Sequence, residues 1–192
     1  MYKKKSSKIR RIRIISGQWR GHYISVPDNV QLRPTTNRTR ETLFNWIANT
    51  VIKSKCLDCF SGTGALGLEA LSRYAASSTF LEIQRSVKEH LKRTLFTLKA
   101  KNGNIIHTNT LKFLSQKGDS YNLVFVDPPF RTGLVEKTLI LLEKNAWLKD
   151  KSLIYVENEV EHRRPIVPKN WYLNREIISG QVASRLYYRL DQ

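Results

Sequence analysis

Asp127-Pro128-Pro129-Phe130 is the stretch of this 192-residue chain best equipped for chemistry. It follows the apolar run Asn122-Leu123-Val124-Phe125-Val126, so it stands where a strand hands over to a loop. Two consecutive prolines fix the chain and remove two N–H donors, while the carbonyls remain acceptors. A carboxylate, a rigid carbonyl and an adjacent aromatic ring make a receptacle for a flat base bearing an NH₂ group. The Phe130 ring can stack on such a base, an interaction worth roughly 1–3 kcal/mol. An exocyclic amine needs this treatment, because its lone pair is delocalised into the ring and attacks poorly. Two acceptors on its hydrogens orient the nitrogen and favour a more tetrahedral, more nucleophilic geometry. Alignment with an electrophilic methyl group then supplies much of the rate.

A second stretch could hold a cofactor. Asp58-Cys59-Phe60-Ser61-Gly62-Thr63-Gly64 closes an earlier apolar run and opens a helix. Gly62 and Gly64 let the backbone approach a ligand and adopt conformations that other residues resist. The helix that follows offers N–H groups. Residues 62–67 also fit G-x-G-x-x-G, which raises a dinucleotide dehydrogenase as a rival. Two features count against it. Asp58 stands four positions before the first glycine, leaving a longer loop than a pyrophosphate turn needs. An acid there also suits a cationic ligand better than a pyrophosphate. Glu82, ending the next strand, suits ribose hydroxyls under either reading.

Cys56 and Cys59 form a C-x-x-C, but on a strand a three-residue offset points side chains to opposite faces. Redox chemistry and a metal site are therefore not expected, and a reducing cytoplasmic location fits best. Lys and Arg number 33 against 16 Asp and Glu, a formal +17 that favours a polyanionic partner. No apolar run is long enough to span a bilayer, and the basic start lacks a secretory signal's apolar stretch.

The elements that must position these groups alternate. Residues 1–11 read as a flexible basic tail. Arg13–Ser16 and Tyr23–Val26 flank a glycine-bearing turn and predict a hairpin, followed by a loop from Pro27 to Pro34. Thr36 to about Lys53 reads as helical, with Leu43, Phe44, Ile47 and Val51 on one face. Strands are then predicted at 55–60, 78–83, 105–107, 121–126 and 152–157. Helices fall between them at 65–74, 87–98, 111–114 and 134–145. This rhythm argues an α/β fold with a parallel sheet covered by helices on both faces. Trp171–Ile178 and Val182–Leu190, around Ser179-Gly180, predict a closing antiparallel hairpin. Ligands in such sheets bind beyond the carboxyl ends of the strands.

Asp58–Gly67, Glu82 and Asp127–Phe130 together resemble the class I S-adenosylmethionine-dependent methyltransferases that modify amino groups. Arg13–Gly21, Leu32-Arg33-Pro34-Thr35 and Arg38–Trp46 narrow the likeness to the RsmD family of bacterial 16S rRNA guanine-N2-methyltransferases, whose target is guanine 966. The likeness runs from about Ile12 to Leu190. It implies a Rossmann-like, seven-stranded, mostly parallel sheet with a C-terminal antiparallel hairpin. A small N-terminal hairpin extension and a cofactor-covering loop would occupy 12–35, and the methyltransferase domain 36–192. It implies S-adenosyl-L-methionine as cofactor and S-adenosyl-L-homocysteine as product. Asp58, Gly62 and Gly64 would line the methionine end, Glu82 the ribose and Asn109 the adenine, with Arg33 and Thr35 over the cofactor. Asp127 and Pro128 would accept from the guanine amine beside Pro129, and Phe130 would stack. The implied partner is 16S rRNA within the assembled small subunit, met by a monomer.

Arg11, Arg13, Trp19 and Arg20 cluster in the hairpin behind Lys3, Lys4 and Lys5, and Arg38 and Arg40 open the next helix. Basic side chains with an interleaved Trp suit phosphates and an unstacked base. Two alternatives stay in view. The same tetrad serves adenine-N6 methylation of DNA or RNA, although no separate target-recognition domain is visible. A non-catalytic rRNA-binding assembly factor would explain the charge, but not an intact glycine loop beside an intact tetrad.

Overall fold

Five apolar runs, each closed by a polar or glycine-bearing turn, become five parallel strands. The computed structural model describes residues 11–26, 36–161 and 163–191. The basic tail up to residue 10, the loop 27–35 and two of its expected cofactor contacts, Arg33 and Thr35, lie outside them. After a two-stranded hairpin of β1 (Arg11–Arg13) and β2 (Tyr23–Ser25) come α1 (Asn37–Trp46) and α2 (Ala48–Val51). The alternating body follows: β3 (Lys55–Asp58), α3 (Ala65–Ser72), β4 (Ser77–Glu82), α4 (Arg85–Thr97), β5 (Gly103–His107), α5 (Thr110–Leu114), β6 (Tyr121–Val126), α6 (Leu134–Lys144) and β7 (Leu148–Glu159). The chain closes with β8 (Trp171–Ser179) and β9 (Val182–Arg189).

The seven-stranded sheet has the order β5-β4-β3-β6-β7-β9-β8. Its first five strands are parallel, and β9 runs antiparallel to both β7 and β8. This is the class I methyltransferase fold expected from the sequence. The strand order reverses between β3 and β6, where ligands of such sheets gather.

Both faces of the sheet's central strands are buried. One cluster holds Cys56, Phe80, Leu123, Phe125, Leu153 and Tyr155 with α1, α3 and α4, and the other holds Leu57, Cys59, Leu81, Val124, Val126 and Ile154 with α6. Cys56 and Cys59 thus sit on opposite faces, each a buried free thiol. Alternation carries a consequence for the site. Asp58, Glu82 and, by register from Val126 opposite Val156, Asp127 and Glu157 all continue the Cys56–Phe80–Phe125–Tyr155 face at the strands' carboxyl ends.

The N-terminal hairpin is welded to α3. Glu69, wholly buried, accepts from Ile15 N–H at 2.8 Å and Ser16 N–H at 3.1 Å. Those donors are thereby diverted from the hairpin ladder, which explains why β1 ends at Arg13 and not at Ser16. Ser72 completes the joint, donating to the Ser16 carbonyl at 2.5 Å and accepting from Trp19 N–H at 3.1 Å. Arg11, read as the last residue of the tail, opens β1.

The two largest of the other departures from expectation have local causes. The helix read over 36–53 is interrupted at Ile47 (φ −105°, ψ 14°), whose carbonyl takes both the Thr50 and Val51 N–H groups and restarts the turn. Strand β7 begins four residues early, because Leu148 pairs with Tyr121 across a register shift. The exposed Lys149-Asp150-Lys151 hides that pairing from a hydrophobicity pattern.

Candidate active site

A cleft of ≈ 670 Å³ opens at the carboxyl ends of β3, β4, β6 and β7. Asp58, Gly62, Glu82, Asn109, Asp127, Pro128, Pro129 and Phe130 all line it, so the structure brings the glycine loop and the tetrad together.

The glycine loop is built around two carboxylates. Asp58 accepts from Gly67 N–H at 3.2 Å, which ties the end of β3 to the first turn of α3. Glu82 accepts from Gly62 N–H at 3.0 Å and Gln84 N–H at 2.7 Å, so it shapes the loop it faces. Ser61 fixes the base of the loop through the Leu81 carbonyl, its hydroxyl at 2.9 Å and its N–H at 3.1 Å. Gly64 stands between the cleft-lining Thr63 and Ala65 and starts α3 at φ +78°, where a side chain would meet Leu91.

Burial, reinforced by the charge of Glu82, pushes the Asp58 carboxyl up to about 7, against the Gly67 N–H that lowers it. Glu82 is raised for the same first reason, burial, with its backbone donors pulling the other way. Two buried acids in one pocket are costly unless a cation meets them. The site therefore fits a ligand that carries positive charge, as the sulfonium and ammonium groups of S-adenosylmethionine do. Ile83, 59% exposed, and Leu111 add apolar lining for a flat ring. Asn109 caps α5, its Oδ1 accepting from Lys112 N–H at 3.1 Å, which leaves the amide NH₂ as the end that could meet an adenine.

The tetrad follows β6 directly. Pro128 is buried, Asp127 and Phe130 are half-buried, and Pro129 is exposed. The turn beyond is held by the Thr132 hydroxyl donating to the Pro129 carbonyl at 2.6 Å and by Arg131 N–H donating to Glu159. Asp127 faces Tyr155 closely enough for its charge to raise that phenol further.

Several lining residues escaped the sequence reading. Thr36 and Thr39 line the cleft as the N-cap and first turn of α1, joined by a Thr39 N–H to Thr36 Oγ1 bond at 3.1 Å. Ser179 and Gly180, read only as a hairpin turn, reach the cleft as well. Glu157 lines it from β7 at 4% exposure. Its signal was present: an acid closing an apolar strand, as Asp58, Glu82 and Asp127 do.

The basic set divides. Arg11, Arg13, Arg20 and Arg38 are exposed. Arg40, expected on the RNA surface, is fully buried instead. It donates to the Arg13 carbonyl and to Asn37 Oδ1, both at 2.7 Å, and faces Glu69 at 3.8 Å. Its place one helical turn from the start of α1 turns it inward, against α3. Trp19 is half-buried and packs on the core beside the hairpin.

Comparison with known proteins decides the family. Residues 12–188 match the family model described as conserved hypothetical protein 95. Ribosomal RNA small subunit methyltransferase D of Escherichia coli strain K12 is 59% identical over 181 residues, covering 94% of this chain and 91% of that protein. The chain belongs to this methyltransferase family. The family member from Buchnera aphidicola subsp. Baizongia pistaciae is 48% identical over 98% of this chain and 97% of its own length. The solved structure of Escherichia coli yhhF superposes with a TM-score of 0.90 at 56% identity, covering 95% of this chain and 100% of that one.

Proposed function

We propose that the protein transfers the methyl group of S-adenosylmethionine to the exocyclic N2 of a guanine in 16S rRNA. The family's guanine 966 would be the target and the assembled small subunit the preferred substrate. The observation that carries this reading is that the tetrad and the acid-lined glycine loop face one cleft. The choice of rRNA is supported by the family relatives.

Bound in that cleft, S-adenosylmethionine supplies the electrophilic methyl group and leaves as S-adenosylhomocysteine. Asp58 would answer its cationic end, Glu82 its ribose hydroxyls and Asn109 its adenine, with Gly62 giving room for close approach; the family likeness assigns Arg33 and Thr35 to its cover. Asp127 and the Pro128 carbonyl accept from the two N2 hydrogens and orient the nitrogen. Pro129 keeps the turn rigid, and Phe130 stacks on the base. The nitrogen forms its new N–C bond and sheds one proton, for which Asp127 is the adjacent acceptor. The target must be unpaired or splayed from its stack to enter. Arg11, Arg13, Arg20 and Arg38 offer exposed cations to the surrounding phosphates, and Trp19 shapes that surface. Residues 12–35 act as extension and cover, 36–192 as the methyltransferase domain of a cytoplasmic monomer. Among the described residues no helix is long and apolar enough to cross a membrane.

The test uses small subunits from a strain lacking the gene and a labelled methyl donor. Label should appear as N2-methylguanine. Asp127→Ala should remove it while RNA retention persists. Unlabelled subunits, or N6-methyladenine as product, would overturn the reading.

A further inference from the structure

The mechanism above leaves one buried carboxylate in the cleft without a task. Glu157 stands on β7 next to Asp127, because Val126 and Val156 are partners in the parallel ladder and the next residue of each strand turns to the same face. It lines the cleft at 4% exposure and stands opposite Ser184 of β9 in the antiparallel ladder. It is set apart from the donor site, since Asp58 and Glu82 lie on the other side of β6.

Its orientation is held. The Tyr155 hydroxyl donates to Glu157 Oε1 at 2.5 Å. Burial first, then the Glu157 charge and hydrogen bond, hold the Tyr155 phenol well above its ordinary pKa. Tyr155 therefore stays protonated and keeps donating to Glu157 throughout the working pH range. A carboxylate can accept about four hydrogen bonds, and the tyrosine takes one of them.

The Watson–Crick edge of guanine supplies such a donor next to the target amine. N1–H and the N2 amine lie side by side on that edge, as Asp127 and Glu157 lie side by side at the strand ends. Adenine presents the reverse at N1, a lone pair, which a carboxylate repels. We propose that Glu157 accepts the N1–H of the target guanine and is the residue that selects guanine over adenine at the tetrad. This rests on the guanine-N2 reading given above. The arrangement divides the labour: Asp127 and Pro128 handle the reacting amine, and Glu157 reads the neighbouring atom.

The experiment compares guanine with 2-aminopurine at the target position of 16S rRNA, ligated from fragments and reconstituted into small subunits. 2-Aminopurine keeps the N2 amine but turns N1 from donor to acceptor. Wild-type protein should prefer guanine by at least about a hundredfold in kcat/KM, since a buried carboxylate would face a lone pair. Glu157→Gln, which can donate from its amide, should slow guanine methylation and compress the preference to within about tenfold. Because 2-aminopurine also lacks O6, the change in the ratio is the readout, not either rate alone. S-adenosylmethionine affinity measured on the variant should stay within about threefold of wild type, because Asp58 and Glu82 remain in place. Equal wild-type rates on the two bases would overturn the proposal without recourse to any variant. So would an unchanged preference in Glu157→Gln. In both cases guanine would still be methylated, and the parent reading would stand. N6-methyladenine as the wild-type product would overturn both.

Discussion

Arg40→Ala should unfold the joint between the N-terminal hairpin and the body without touching an RNA-facing surface. The guanidinium is 0% exposed, and it makes two hydrogen bonds of 2.7 Å and one ion pair at 3.8 Å. It is not an unmixed gain to the fold. Its Nε and Nη1 have no hydrogen-bond partner, and burial lowers its pKa more than Glu69 raises it. What the truncation removes is compensation. Breaking a buried pair by deleting one partner costs about 3–5 kcal/mol, because the other charge stays buried. Glu69 keeps Ile15, Ser16 and Arg73 as donors, which places the cost near the lower end, about 3 kcal/mol. At roughly 2–4 °C per kcal/mol for a chain of this size, Tm should fall by about 6–12 °C. Thermal unfolding followed by circular dichroism reads this. RNA filter binding, carried out well below Tm across a salt series, reads the other half and should show affinity and salt slope close to wild type. Arg38→Ala, on the exposed side of the same helix, should show the reverse: little change in Tm and weaker, less salt-dependent binding. An Arg40→Ala protein of unchanged Tm that bound RNA weakly would refute the structural assignment.

Asp58, raised from 3.8 to about 7 chiefly by burial, holds a proton in the folded protein that the unfolded chain has already lost. The ligand-free protein should therefore lose stability as pH rises from about 4 to about 7, by on the order of 4 kcal/mol in all, and Asp58→Asn should flatten that slope in urea titrations. Affinity for S-adenosylmethionine should rise through the same window, with protons released on binding; calorimetry in buffers of different ionisation enthalpy tests this, and a flat profile between about pH 5.5 and pH 8.5 would contradict it. Gly17→Ala should cost more than roughly 2 kcal/mol, since φ is +81° and the new Cβ would lie 1.8 Å from the Ser72 carbonyl oxygen. Gly180→Ala, at φ +59° with nothing within 4 Å, should cost about 1 kcal/mol in the same denaturation assay. Burial pushes the Cys56 thiol up to about 12 and Cys59 well above its ordinary value, so neither should be alkylated in the native protein at neutral pH; mass spectrometry after iodoacetamide treatment, with and without urea, checks this.

Local chemistry carried much of this protein's description. The parallel strands could be read because most of them are apolar runs buried on both faces. Alternation on a strand separated Cys56 from Cys59, and the ends of the apolar runs placed the acids Asp58 and Glu82 at strand ends. The tetrad was legible because two prolines and an acid after an apolar strand have few other uses. Tertiary structure decided what depends on neighbours distant in sequence. Arg40 and Arg38 are two residues apart on one helix, and only the packing of α1 on α3 makes one a buried tie to Glu69 and leaves the other in solvent. The ladder of β1 stops where it does because Glu69, more than fifty residues away, takes the Ile15 and Ser16 donors. Glu157 carried the same strand-ending signature as the other acids, but its partner Asp127 was set by strand order. A sequence specifies which side of a strand a residue faces; which strand lies beside it is settled by burial of the whole sheet. The tetrad was visible alone, and the residue proposed to choose its base emerged only when β6 and β7 were laid together.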